Sequence, residues 1–254
     1  IMETRNATSF TQQDWEHYAR CYDRLNELTP YQAMLEEVAR ALRAQEGEHI
    51  LDAACGTGNL TTRLEQGSGA IVTGCDYSEV MLARAQGKCG DRAPLLRTNL
   101  NHSLPFADHS FDAVACVNTL YAVAEPAHLL SEFSRVLRVG GRIVLVTPKA
   151  GYENGLILKA HCKSPKPDAH WEQVHLDQAR EEERIREACG NTALSTDLIQ
   201  VGAWNRLISV NSRFHFFTGD KLEGLILHSG FTITERRMTY AGQCHLIVAV
   251  KPLP

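Results

Sequence analysis

The chain has 254 residues, 44% of them hydrophobic and 22% charged, which suits one large α/β domain or a domain carrying a sizeable insertion. A formal charge of −4 offers no basic footprint for nucleic acid. No apolar run approaches the ~20 residues that span a bilayer, so neither a nucleic-acid nor a membrane partner is expected. Residues 1–14 are polar and lack the basic-then-apolar pattern of a signal peptide, which places the expected location in the cytoplasm. Of the eight cysteines the closest pair, Cys75 and Cys89, is 14 residues apart, so no CxxC spacing exists. Reduced thiols packed as small hydrophobes are expected, and no metal site.

Taken in order, Tyr31 to Ala44 carries Met34, Leu35, Val38, Ala39 and Leu42 at helical spacing. His49 to Ala54 is a short apolar run ending in a glycine-rich turn, a strand, and Asn59 to Glu65 opens a helix. Ala70 to Cys75 is a strand, and Ser78 is placed to cap a helix running to Gln86. Strands are expected at Pro94 to Arg97 and Phe111 to Val117. A helix follows over Pro126 to Leu137, stopped by Val139-Gly140-Gly141, and a strand over Ile143 to Thr147.

Residues 150 to 217 break this alternation with scattered aromatics, weak helical spacing and a charge-dense run, Asp177 to Glu187, read as a solvated helix face. Beyond them, Gly219 to His228 is a helix between Thr218 and Gly230, followed by strands at Phe231 to Thr239 and Cys244 to Lys251. Short apolar strands alternating with helices predict a Rossmann-like, doubly wound sheet. The expected division is an N-terminal helical cover (1–45), a Rossmann-like core (46–149), a helical insertion acting as a lid (150–217) and closing core elements (218–254).

A strand ending at Asp52 and running through Ala53-Ala54-Cys55-Gly56-Thr57-Gly58 into a helix is built to approach a ligand. Its glycines admit close backbone contact, and the helix start offers unpaired N–H donors. Eighteen residues past Gly58, at the end of the next strand, Asp76 can accept bonds from both hydroxyls of a ribose. A dinucleotide site wants a third glycine where this chain has Thr61, and Asp52 would face a pyrophosphate unfavourably. An acid before the loop suits the cationic sulfonium and amino group of S-adenosylmethionine. Because alanine avoids the left-handed region, Ala54 is expected to keep a negative φ.

These features resemble the class I S-adenosylmethionine-dependent methyltransferases, in particular the broad "type 11" group that includes ubiquinone and menaquinone methyltransferases. The resemblance covers residues 18 to 148, and more loosely 218 to 251. Ile50 to Gly58 is similar to the first motif, with Ala54 where the family usually has glycine. Gly74 to Leu82 is similar to the second, and implies that Asp76 holds the ribose and Met81 contacts the adenine, with Tyr77 beside it. Thr98-Asn99-Leu100 is similar to the third. Asn99 replaces an aspartate there, though its side-chain oxygen can still accept the adenine amino group. Phe111 to Leu120, with Asn118, and Leu137 to Leu145 complete the series. The fold implied is a seven-stranded sheet whose last two strands form an antiparallel hairpin. The cofactor implied is S-adenosylmethionine, leaving S-adenosylhomocysteine.

Methyl transfer from a sulfonium is an in-line displacement in which the protein mainly aligns donor and acceptor. A general base is needed only when the acceptor carries a proton near neutral pH. Trp15, Tyr18 and Tyr22 share a helical face, and in related enzymes such a helix folds over the cofactor. Tyr18, Tyr22 and His215 are therefore the catalytic candidates. Trp171, His175, Asn205, Arg206 and Tyr240 are candidates for contact with a partly apolar small-molecule acceptor. The chain is expected to act as a monomer or homodimer. Alternative readings are an inactive relative that binds the cofactor for regulation, a transferase using a modified sulfonium cofactor, and a nicotinamide-dependent oxidoreductase.

Overall fold

The computed structural model describes residues 11–253; the first ten residues of the expected N-terminal cover lie outside them. Seven strands form one sheet in the order β3-β2-β1-β4-β5-β7-β6. They are β1 (His49–Ala53), β2 (Ile71–Asp76), β3 (Leu95–Arg97), β4 (Phe111–Val117), β5 (Leu137–Pro148), β6 (Thr232–Thr239) and β7 (Cys244–Val250). The first five run parallel, and β7 pairs antiparallel with both β5 and β6. This is the doubly wound, Rossmann-like sheet that the alternation of elements predicts, with the closing antiparallel hairpin that the resemblance implies. The reason is visible in side-chain parity. Ile50, Ala113 and Val144 enter the core on one face, while Leu51, Val114, Ile143 and Leu145 enter it on the other. Strands apolar on both faces require helices on both.

Those helices are α2 (Thr29–Leu42), α3 (Asn59–Ser68), α4 (Glu79–Cys89), α5 (Pro126–Val136) and α9 (Gly219–His228). On α2, Met34, Leu35, Val38 and Leu42 form the stripe that meets the sheet. Ser78 caps α4 as its position predicts, its hydroxyl accepting from the Met81 amide at 3.1 Å. Before them, α1 (Gln12–Tyr22) opens with Asp14 accepting the Thr11 amide at 2.7 Å. All eight cysteines are unpaired, and six of them are buried. No helix among the described residues is long and apolar enough to cross a membrane.

Two expectations are corrected. Gly140 and Gly141 do not end α5. The chain turns extended at Leu137, which already pairs with Phe111, and the strand irregularity between Phe111 and Ala113 absorbs the glycines. Gly140 then takes φ +76° inside β5, and a side chain on Gly141 would press on the Arg138 and Asp112 carbonyls. The charge run is the second case. It forms α7 (Gln178–Cys189), but Glu181 and Arg184 are buried rather than solvated. Glu181 accepts from Arg206 and, at 2.9 Å, from the Asn154 amide. Arg184 pairs with Glu187 and lies over the Trp171 ring, 5.5 Å from its centre.

Between β5 and α9 the chain also forms α6 (Asn154–His161) and α8 (Ala193–Ser209), the latter a 17-residue helix that the weak periodicity does not reveal. Gly155 on α6 lies so close to the Trp171 carbonyl that a Cβ there would collide with it. Gly155→Ala should therefore cost about 1–3 kcal/mol through overpacking, read as a lower urea midpoint; an unchanged midpoint would show that this segment gives way freely.

Candidate active site

The turn after β1 alternates left-handed residues: Ala54 at φ +61°, Gly56 at +54° and Gly58 at +78°. The negative φ expected for Ala54 is thus overturned. The amide of Cys55 is held by the Cys75 carbonyl of β2 at 2.9 Å, and that of Gly58 by Cys55 at 3.0 Å. These bonds fix the turn and impose a conformation that costs a non-glycine residue about 1–2 kcal/mol. The two glycines do different work. A side chain on Gly58 would meet Ala85 of α4 at 3.0 Å, so its bareness serves helix packing. Gly56 lines a cavity with Tyr22 and Met81 across from it.

That cavity sits at the carboxyl ends of β1, β2 and β4. Asp76 lines it, with Oδ2 accepting the Gly56 amide and Oδ1 the Ser78 amide, each at 2.9 Å. Burial raises the Asp76 carboxyl above its ordinary value, while those amides pull it back. Ala54, Tyr77, Met81, Asn99, Leu100 and Asn118 line the same cavity. The Asn99 oxygen accepts the Asn101 amide at 3.0 Å, which orients it and leaves a second lone pair. Arg97 lies over the Tyr77 ring at 5.7 Å.

Asp52 and Ala53 are placed differently. Both are buried and neither lines the cavity. Asp52 accepts the Thr61 hydroxyl at 2.7 Å beneath the turn, so the residue that replaces a third glycine serves as the acid's partner. Burial pushes the Asp52 carboxyl up to about 6, against the Thr61 bond and helped by the charge of Asp76.

Helix α1 roofs the cavity. Glu16, which no sequence signal marks, accepts the Ser78 hydroxyl at 2.8 Å and the Val80 and Glu79 amides at 3.0 and 3.1 Å. Its carboxylate thereby closes the amino end of α4 and is held below its usual range despite some burial. Trp15 and Tyr22 face the first cavity and also a second one, which they share with Asn118. Tyr18, Asn205 and Tyr240 line the second cavity, and the Tyr18 hydroxyl donates to Asn205 at 3.0 Å. Phe216, one of the insertion's aromatics that the sequence offers for an acceptor pocket, joins them there, with Tyr121 and Tyr152, which no sequence signal marks beyond being aromatic.

Four candidates line neither cavity. Trp171 is buried against Arg184, and Arg206 turns into Glu181 because that buried carboxylate needs a counter-charge. His175 faces Glu153 at 3.8 Å. His215 stacks on Phe217 and bonds the Ala124 carbonyl at 3.3 Å. Among the described residues no group of three or more His, Cys, Asp or Glu side chains is placed to hold a metal.

Ala54→Gly should raise stability by about 1 kcal/mol by relieving the left-handed strain, seen as a higher urea midpoint; a lower midpoint would mean that the alanine is not strained. Asp52→Asn keeps an acceptor for Thr61 while removing a carboxyl whose value rises from 3.8 to about 6 on folding. Such a group favours the fold fully only below its unfolded value, and that contribution is lost as pH rises through the folded one. The variant should therefore gain on the parent across pH 4 to 7 by up to about 3 kcal/mol, measured by unfolding without cofactor. Parallel curves for the two proteins would place Asp52 in a less desolvated setting.

Comparison with known proteins agrees with this geometry. Residues 51–145 match the family model described as a methyltransferase domain. The O-methyltransferase resE of Aspergillus sclerotiorum is 30% identical over 145 residues, 56% of this chain and 52% of that protein. The demethylmenaquinone methyltransferase of Clavibacter sepedonicus is 38% identical over 136 residues, 52% of this chain and 55% of that protein. The chain thus spans about half the length of these curated relatives. A SAM-dependent methyltransferase from Aquifex aeolicus superposes with a TM-score of 0.59 at 16% identity, covering 95% of this chain and 99% of that one. With the seven-stranded order, the turn after β1 and Asp76 already in place, residues 51–145 are identified as a methyltransferase domain, and the fold around them is that of the S-adenosylmethionine-dependent methyltransferases.

Proposed function

We propose that this protein moves a methyl group from S-adenosylmethionine to a small-molecule acceptor, with the cofactor held in the first cavity. The observation that carries this reading is Asp76. Its two oxygens are held by amides of two separate elements while the residue lines the cavity, and a carboxylate's several lone pairs leave it able to accept from ribose hydroxyls as well. The surrounding residues fit the rest of the cofactor. Gly56 allows close approach of the methionyl portion, Met81 and Leu100 supply apolar contact for the adenine, and the oriented Asn99 oxygen accepts its amino group. Asn118, held at φ +51° with its amide on the Val146 carbonyl, borders both cavities where the methyl group would pass.

The cofactor brings an already activated carbon, so the chain's task is alignment and exclusion of water. Trp15 and Tyr22 on α1 cover the cavity, and the segment from 150 to 217 serves as a lid that sets acceptor choice. Tyr18 and Tyr22 shape that space rather than remove protons, since burial drives both phenols well above their ordinary values. Asp52 supports the turn from beneath and contributes negative potential behind the sulfonium.

The test is binding. S-adenosylhomocysteine should raise the melting temperature, and Asp76→Ala should weaken its affinity by about 1–3 kcal/mol, roughly 5- to 150-fold by calorimetry. Stabilisation by NAD alone would end the methyltransferase reading, and an undiminished affinity in the variant would end the ribose assignment.

A further inference from the structure

The second cavity adjoins the first through a wall of Trp15, Tyr22 and Asn118. Among the described residues no Asp, Glu, Lys, Arg or His lines it. Its remaining surface is largely aromatic, with Tyr18, Tyr121, Tyr152 and Tyr240 facing inward, and its polar groups are neutral. Arg206, beside Asn205 in the chain, is committed to Glu181. The cavity is therefore polar enough to bond a ligand but carries no formal charge.

Three consequences bear on the acceptor. A carboxylate or phosphate would be buried here with no cation from the lining, which is strongly unfavourable. An acceptor that must lose a proton during attack finds no base, because buried phenols hold their protons at neutral pH. An aliphatic amine is protonated at neutral pH and has no free lone pair until that proton has gone to water, since no base among the described residues lines the cavity to take it. What the walls do favour is a developing cation, which aromatic rings attract through their quadrupole.

Resting on the methyl-transfer reading above, we propose that the second cavity is the acceptor chamber and takes an uncharged aromatic molecule. Its attacking atom is a lone-pair atom with no proton to lose: a pyridine-type nitrogen or a thioether sulfur. The acceptor's lone pair forms the new bond to the methyl carbon. The sulfur–methyl bond breaks, and its electron pair stays on the cofactor's sulfur. The cofactor leaves neutral, the acceptor leaves as an onium ion, and no proton moves. The positive charge crosses from one cavity to the other with the site's total unchanged, and the tyrosine rings meet it there.

The test uses the full chain saturated with S-adenosylhomocysteine and matched one-ring probes followed by ligand-detected NMR titration. The probes are 4-methylpyridine, 1,4-dimethylpyridinium, thioanisole, p-cresol and p-toluate. Dimethylpyridinium and at least one neutral lone-pair probe should bind roughly tenfold more tightly than p-toluate, and Tyr240→Leu should lose most of the preference for the cation. Homocysteine-cofactor affinity should be unchanged in that variant, which also reports that it is folded. With labelled S-adenosylmethionine, the pyridine and thioether arms separate the two acceptor sources. Turnover should be level across pH 6.5 to 8.5 for whichever reacts. Equal or tighter binding of p-toluate, O-methylation of p-cresol at a rate rising with pH, or no binding of any probe would overturn the proposal. Failure of S-adenosylhomocysteine itself to bind would instead overturn the cofactor reading.

Discussion

The geometry of the site depends on one carboxylate at the cavity wall. Asp76 closes β2, receives the Gly56 amide from the turn after β1 and receives the Ser78 amide from the start of α4. Two crossovers of the sheet are thereby locked to each other beside the junction of β1 and β4, where the strand order reverses and open α/β sheets bind ligands. The left-handed residues of the turn are the counterpart of that lock. Gly56 can present its amide to Asp76 because the chain bends through Ala54, at a cost that the bond from Cys55 to the Cys75 carbonyl helps to offset.

A second carboxylate extends the lock outward. Glu16 satisfies the amides at the start of α4, so the roof helix is moored to the element that carries Ser78 and Met81. Two residues further along α1, Tyr18 reaches Asn205 on α8. Helix α1 is thus fastened to α4 by charge-assisted bonds and to α8 by a neutral one, and Trp15 and Tyr22, to either side of these moorings, wall both cavities. The insertion has its own anchor in Glu181, whose buried charge is met by Arg206 and Asn154. That anchor turns Arg206 away from the chamber and leaves Asn205 facing it.

Much of the core is legible in the residues because its signals are local. Apolar parity of the strands, Ser78 as a cap, and the acid–glycine turn followed by a second acid each lie within one strand–turn–helix unit. The charge run Asp177 to Glu187 misled because composition cannot tell a solvated Glu from one that meets an arginine 25 residues away. Ala54 misled for a related reason. Intrinsic preference set its expected φ, and the hydrogen bonds around it decided otherwise.

The sequence by itself determined the sheet, its crossover turn and the cofactor class, since these follow from short-range spacing and residue chemistry. Only the tertiary structure decided which acid faces the cavity and which lies beneath it, that Glu16 fastens the roof from 62 residues away, and that Tyr18 meets Asn205 across 187. It also decided that the first cavity shares a wall with a second one, lined largely by aromatic rings and, among the described residues, by no charged side chain. Those outcomes rest on side chains from separate elements converging in space, and spacing along the chain carries no record of that convergence.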